Sequence, residues 1–369
     1  MFTKSIGISF LLFCSLVPAQ EKTQPKIQIA LLLDASGSMD GLIHQAQSKL
    51  WALVNEMAVA KKAGQVPQLE VALFMYGHST LPKSEGYLKC LQGLTSDLDS
   101  ISESLFKITT NGGDEYCGSV IKAATGLNWS SNPKDYKAIF IAGNEPFTQG
   151  AISYQEACRD AIAKGIVVNT IFCGDEKEGV RTHWKAGADL ADGRYMSLQH
   201  NQAVTAISAP QDAEIMRLGQ ALNETFLAYG AAGHSAQKRQ KEQDKKSEMV
   251  SADAAVSRTM AKVSAAYKPT TWDLVTAAEE GTVEVVTIEE EALPEALKGK
   301  DDAEKQLIVD ELVKKRKEIK QQLDDLKAAR ENYLAKNQPK GTYIDDLMVT
   351  AIRDQMEARE FSFPQKKDK

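Results

Sequence analysis

The chain reads as α/β: a doubly wound, mostly parallel sheet followed by a mainly α-helical C-terminal region. Three observations carry this. The run from Ile29 to Leu33 is apolar throughout, as a central strand covered on both faces must be. After it, apolar runs of strand length alternate with amphipathic segments as far as Leu198. Beyond Gly230 that alternation stops, and Gln, Lys, Glu and Ser dominate.

The elements follow in order. Leu42 to Ala60 places Ile43, Ala46, Leu50, Val54 and Met57 three and four apart, an amphipathic helix after the first strand. Leu69 to Tyr76 is a second strand and Tyr87 to Leu91 a short edge strand. Asp97 to Phe106 and Glu115 to Leu127 read as helices, the latter with Val120, Ile121, Ala124 and Leu127 on one face. Ala138 to Ala142 is a buried strand, Ser153 to Lys164 a helix, and Ile166 to Cys173 a strand rich in β-branched residues. A helix over Val180 to Leu190, a strand over Arg194 to Leu198 and a closing helix over Ala213 to Tyr229 complete the alternation.

With 369 residues the chain has room for about two domains of roughly 150 residues each. A hydrophobic fraction of 43% suits a packed core and excludes global disorder. The net charge of -6 is mild, and no basic cluster with interleaved aromatics occurs, which argues against a nucleic-acid partner. Lys4, the apolar run Ile6 to Val17 and the Val17-Pro18-Ala19 sequence read as a signal peptide over residues 1–19, so the mature chain is expected to be secreted or periplasmic. A lipoprotein anchor at Cys14 lacks the small residue such processing requires before it. No later segment is long and apolar enough to span a bilayer.

Removal of the leader leaves Cys90, Cys117, Cys158 and Cys173, an even set for which an oxidising compartment predicts disulfides. Cys158 falls early in a predicted helix and Cys173 ends the next strand, which favours Cys158 with Cys173 and leaves Cys90 with Cys117. Free buried thiols are the alternative.

Asp34-Ala35-Ser36-Gly37-Ser38 follows directly on the first strand, at the carboxyl end where ligands gather in open parallel sheets. Its carboxylate and hydroxyl oxygens suit a hard divalent cation, Mg²⁺ or Mn²⁺, with Ca²⁺ as an alternative. Gly37 permits the tight turn that lets alternate side chains converge. A turn with helix-capping side chains is the plainer reading of the same residues.

This Asp-x-Ser-x-Ser pattern at a strand end resembles the metal-ion-dependent adhesion site of von Willebrand factor type A (VWA) domains. The resemblance runs from about Lys26 to Gly230 and sets a domain over 25–230. It implies a Rossmann-like fold and a cation held by three loops. In the second loop such domains carry two glycines and a threonine, whereas this chain reads Thr109-Thr110-Asn111-Gly112-Gly113-Asp114-Glu115. Asp114 aligns with the threonine and is the expected ligand beside Asp34, Ser36 and Ser38. Thr109 or Thr110 is the substitute, and helix capping is a second role for Asp114.

The third loop of the family ends its strand with threonine, aspartate and glycine. Here Ile141-Ala142-Gly143-Asn144-Glu145-Pro146 puts Gly143 at the aspartate, with Asn144 or Glu145 as a neighbouring oxygen donor. The family's site, built mainly of neutral hydroxyls, is receptive to a partner's carboxylate. A directly bound Asp114 would tighten the hold on the cation and weaken that attraction.

Other chemistries find little support. His44, His78, His183, His200 and His234 show no helical ligand spacing for zinc, and no nucleophile elbow or phosphate loop occurs.

The region 231–369 opens on a polar linker or solvated helix, His234 to Ser247, followed by a helix over Ala254 to Tyr267 and a short strand or extended segment over Val283 to Ile288. Leu312, Ile319, Leu326 and Tyr333 then recur every seven residues with Leu323 between them. A second amphipathic helix, Tyr343 to Ala358, is expected to fold back as a helical hairpin over 301–360. An intermolecular coiled coil, making a homo-oligomer, is the alternative, with Arg316 and Arg330 interrupting its seam.

The resulting expectation is an exported, non-enzymatic module that binds another protein through a divalent-cation-containing face. A metal-free scaffold of the cell envelope is the competing class, and a metal-assisted hydrolase would need a general base and a cleft that the sequence does not display.

Overall fold

The computed structural model describes residues 24–198, 208–337 and 344–364. The leader with Cys14, the histidine at 200 and the start of the last predicted helix lie outside them. In chain order the elements are β1 (Lys26–Asp34), α1 (Asp40–Ala58), β2 (Lys61–Lys62), β3 (Gln68–Tyr76), β4 (Leu88–Thr95), α2 (Leu98–Leu105), α3 (Cys117–Thr125), β5 (Tyr136–Gly143), α4 (Tyr154–Ala163), β6 (Val167–Phe172), α5 (Glu176–Arg181), α6 (Trp184–Asp189) and β7 (Tyr195–Ser197). The extension contributes α7 (Asp212–Asn223), α8 (Gly233–Val250), α9 (Ala252–Val263), α10 (Leu274–Glu279), α11 (Asp302–Asn337), α12 (Ile344–Glu357) and β8 (Phe361–Ser362).

The sheet runs β4-β3-β1-β5-β6-β7, parallel except for β4 at one edge. Alternation along β1 divides its side chains between two cores. Ile27, Ile29, Leu31 and Leu33 pack under α1, α2 and α12, while Ala30 and Leu32 pack under α3, α4 and Trp184 of α6. The doubly wound arrangement expected from the apolar runs is what forms. The helix expected over Val180 to Leu190 is split in two, with His183 at φ 73° between α5 and α6.

The sheet also explains why the expected cystines are absent. Cys173 belongs to the core on one face and Cys158 to the core on the other, so the sheet itself separates them. Cys117 is buried at the start of α3, while Cys90 lies exposed on the edge strand. All four are free thiols.

The C-terminal region departs most from expectation. α12 does not fold back along α11 as a hairpin. Met348, Ala351, Ile352, Met356 and Phe361 instead enter the core beneath β1 and β5, alongside α1. Gln355 exchanges hydrogen bonds with the fully buried Asn169 of β6 (2.7 and 3.2 Å) and accepts one from Tyr136 of β5 at 2.7 Å. Arg353 pairs with Glu56 of α1, Asp354 pairs with Arg194, and β8 joins β2 as a two-stranded ribbon. The segment expected to close the first domain, α7, packs instead with α9 and α11. The domain is therefore closed by the far end of the chain, and residues 208–337 form an excursion between β7 and its last helix.

That excursion is tied down by buried charge. Arg258 of α9, 1% exposed, sits 4.3 Å above the Trp51 ring of α1 and contacts Asp99 of α2 at 2.6 Å and Asp244 of α8 at 2.8 Å. Lys262 meets the other oxygen of Asp244 at 2.6 Å, and the Tyr267 hydroxyl donates to Asp99 at 2.6 Å. The polar stripe Gln240, Gln243 and Ser247 of α8, expected to be solvated, is buried here, with Ser102 donating to Gln243 at 3.0 Å.

The heptad seam of α11 is used within the chain. Ile319 and Leu323 pack with Ile215, Leu218 and Val256, which removes the basis for a coiled-coil dimer through these residues. The arginines that interrupt the seam are its anchors. Arg316 holds Asp273 at 2.8 Å, and Arg330 bridges Asp212 (2.6 Å) and Asp253 (2.9 Å).

Candidate metal centre

Asp34 ends β1 directly beside Tyr76 of β3, at the carboxyl edge of the sheet. Its side chain is fully buried. Oδ1 accepts the Ser36 amide at 2.7 Å, and Oδ2 has no hydrogen-bond partner. Ser36 is buried and Ser38 exposed, their hydroxyl oxygens 3.5 Å apart, so the first loop does bring these three residues together. Asn144 of the third loop donates to the Ser38 hydroxyl at 3.0 Å, while its own Oδ1 is buried without a partner.

The second loop is drawn onto the first by backbone contacts. The Asn111 amide donates to the Ala35 carbonyl at 3.0 Å, and a Cβ on Gly37 would meet the Gly112 nitrogen at 3.3 Å. Gly113 lies against the Gly77 carbonyl, where a Cβ would come within 2.3 Å. This close approach sets the direction of the two residues after Gly113. Asp114 points to solvent, its carboxylate 3.6 Å from Lys83 and accepting the Tyr116 hydroxyl at 3.2 Å. Glu115 turns inward, only 2% exposed, in hydrogen-bond contact with both Asp34 and Ser36. It also accepts the Glu145 amide at 3.2 Å. Helix α3 starts only at Cys117, so Asp114 is not its cap.

The other second- and third-loop candidates lie outside this cluster. Thr109 is exposed, and Thr110 donates its hydroxyl to Asp40. Glu145 is exposed, its carboxylate accepting Gln149 Nε2 at 3.2 Å. Glu115 was hidden from sequence spacing because Asp114 and Glu115 are adjacent carboxylates, and only the backbone direction after Gly113 distinguishes them.

Gly143 has a steric cause. A Cβ there would lie 2.4 Å from the Tyr76 hydroxyl, 3.1 Å from Asp34 Oδ2 and 3.1 Å from the Trp184 ring. Tyr76 uses that hydroxyl to donate to the Ala142 carbonyl at 3.0 Å. The space a third-loop carboxylate would need is already filled. Gly143→Asp is accordingly expected to cost about 1–3 kcal/mol in denaturant unfolding, and Tyr76→Phe in the same chain to recover part of that loss by removing the obstructing oxygen.

Electrostatics set the character of the site. Burial pushes the Asp34 carboxyl up, opposed by its hydrogen bonds to Glu115 and Ser36. Burial, then the nearby Asp34 charge, raises Glu115 well above the usual carboxylate range. Two carboxyls facing each other out of water favour a positive charge, whether proton or cation, between them. Among the described residues no three His, Cys, Asp or Glu side chains converge. The oxygens gathered here are two carboxyls, the Ser36 and Ser38 hydroxyls and the Asn144 side-chain carbonyl. Such an all-oxygen set fits a hard divalent ion better than a thiophilic one.

A parallel sheet of this strand order, with one antiparallel edge and an Asp-x-Ser-x-Ser loop at the end of its central strand, decides the fold. The sheet domain has a von Willebrand factor type A fold.

Solved structures similar to this domain include the conserved hypothetical protein BatB from Bacteroides thetaiotaomicron, with 17% identity over 47% of this chain and 90% of that one, and a TM-score of 0.36. The SpRpn10 VWA domain shows 14% identity over 49% of this chain and 100% of its own, at 0.36. The von Willebrand factor type A protein from Catenulispora acidiphila shows 14% over 47% of this chain and 39% of its own, also at 0.36. No protein-family model and no curated protein matches the chain.

Proposed function

We propose that this protein is an exported, non-enzymatic binding module whose VWA domain holds a divalent cation, Mg²⁺ or Mn²⁺, at the face it offers to another protein. The carrying observation is the unpartnered Oδ2 of the fully buried Asp34, set against the buried Glu115 carboxylate. Removing a carboxylate from water is costly unless a counter-charge meets it, and a cation between the two would supply one. Asp34, Glu115, Ser36 and Ser38 would hold it, with Asn144 as a neutral neighbour. The ion would supply positive charge that fixes the three loops relative to one another. Export is supported by the apolar run after Lys4 and not by the cysteines.

Calorimetric titration of the full chain with Mg²⁺, Mn²⁺ and Ca²⁺ tests this reading. Saturable heat is expected for at least one ion, with affinity falling at least about tenfold in Asp34→Ala and Glu115→Gln and unchanged in Asp114→Asn. No heat from any ion overturns the cation reading. Loss in Asp114→Asn matching that in Glu115→Gln returns the ligand to Asp114.

A further inference from the structure

We infer that Glu115 serves the VWA site as its own carboxylate, so that the loaded face rejects an acidic partner group and accepts a basic segment instead. The inference rests on the cation reading above and concerns what that cation does next.

Two charges decide it. A divalent ion met by the Asp34 and Glu115 carboxylates is neutralised within the buried shell, and the hydroxyls and amide that complete the set add no charge. A metal balanced in this way has little attraction left for an external carboxylate. Glu115 is also fixed in place. Its Oε2 accepts the Glu145 amide at 3.2 Å and its own amide donates to Gln149 Oε1 at 3.1 Å. Gly77, at φ 77°, lies against both acidic side chains, since a Cβ there would stand 2.8 Å from Asp34 Oδ1 and 2.9 Å from Glu115 Cγ.

The surrounding surface carries the opposite preference from an acid-binding face. Asp40, Asp114 and Glu145, one next to each of the three loops' inward-facing residues, are exposed. Of these three, only Asp114 meets a cation among the described residues, Lys83 at 3.6 Å. The rim is thus net negative around a neutral centre, and charge complementarity favours Lys or Arg in the partner.

The test uses the full chain loaded with Mn²⁺, read by the electron paramagnetic resonance of the ion, and two capped hexapeptides, one with a central Asp and one with a central Arg. The Asp peptide is expected to leave the Mn²⁺ spectrum of the unmodified protein unchanged and to perturb that of Glu115→Gln at concentrations at least about tenfold lower. The Arg peptide is expected to bind the loaded protein in a salt-sensitive manner, and to lose that binding in Asp40→Asn with Glu145→Gln. An Asp peptide that perturbs the unmodified protein as readily as the variant overturns the inference while leaving the cation in place. Arg-peptide binding that survives the double substitution overturns the rim assignment. A Mn²⁺ spectrum identical to that of the free aqua ion in the presence of the unmodified protein overturns the cation reading and this inference together.

Discussion

Ile352→Asp is expected to unfold the sheet domain, although the residue lies more than 150 positions beyond the last strand of its sheet. Ile352 is 1% exposed in the core beneath β1 and β5. An unpaired carboxylate there costs about 4 kcal/mol or more, a large part of the roughly 5–15 kcal/mol that a domain has in total. Removing everything after Asn337 should be worse. Met348, Ile352, Met356 and Phe361 together withdraw about 6–12 kcal/mol of burial, counted as an upper bound. It also strands the buried side-chain amide of Asn169, which donates to Gln355. Far-UV circular dichroism and a thermal melt of the two variants check this. A melt within a few degrees of the unmodified protein for Ile352→Asp would mean that α12 is not part of the core.

The second large effect is expected at Arg258. Arg258→Ala leaves Asp99 and Asp244 buried with half of their counter-charge gone, which costs about 3–5 kcal/mol. Arg258→Met keeps the volume against Trp51 and loses the charge, so similar destabilisation of both variants would place the loss in electrostatics and not in packing. The same cluster predicts an acid limb. Burial alone would raise the Asp244 carboxyl, but Lys262 and Arg258 outweigh it and hold it at about 2. Its folded value lies below its unfolded one, so the stabilisation is fully present above about pH 4 and is lost as pH falls toward 2. The amount is about 2 kcal/mol. Denaturant midpoints measured from pH 5 to pH 2 should fall, and fall less in Asp244→Asn.

Much of the sheet domain is legible from local pattern, because uniform apolar runs such as Ile29 to Leu33 and Ala138 to Ala142 have few alternatives to a buried strand. The first loop is legible for the same reason, since Asp34, Ser36 and Ser38 are placed by the strand that precedes them. Glu115 is not, because one residue of backbone rotation after Gly113 decides which of two adjacent acids turns inward. The mates of α12 are equally hidden. Periodicity shows that Met348, Ile352 and Met356 share a face, but nothing local says whether that face meets α11 or a sheet made far earlier in the chain. The polar stripe of α8 misleads for a chemical reason. Gln240, Gln243 and Ser247 look solvated until Asp99, Arg258 and Tyr267, contributed by three other segments, give them a polar interior to face.

The late arrival of α12 bears on the order of events during synthesis. A ribosome adding about 5–20 residues per second takes roughly ten seconds or more to travel from β7 to Phe361. Throughout that interval the sheet lacks the helix that seals one of its faces, so the first half of the polypeptide cannot finish folding while the second half is being made. A nascent chain of this design keeps one face of β1 and β5 uncovered until α12 has been made and docked against them.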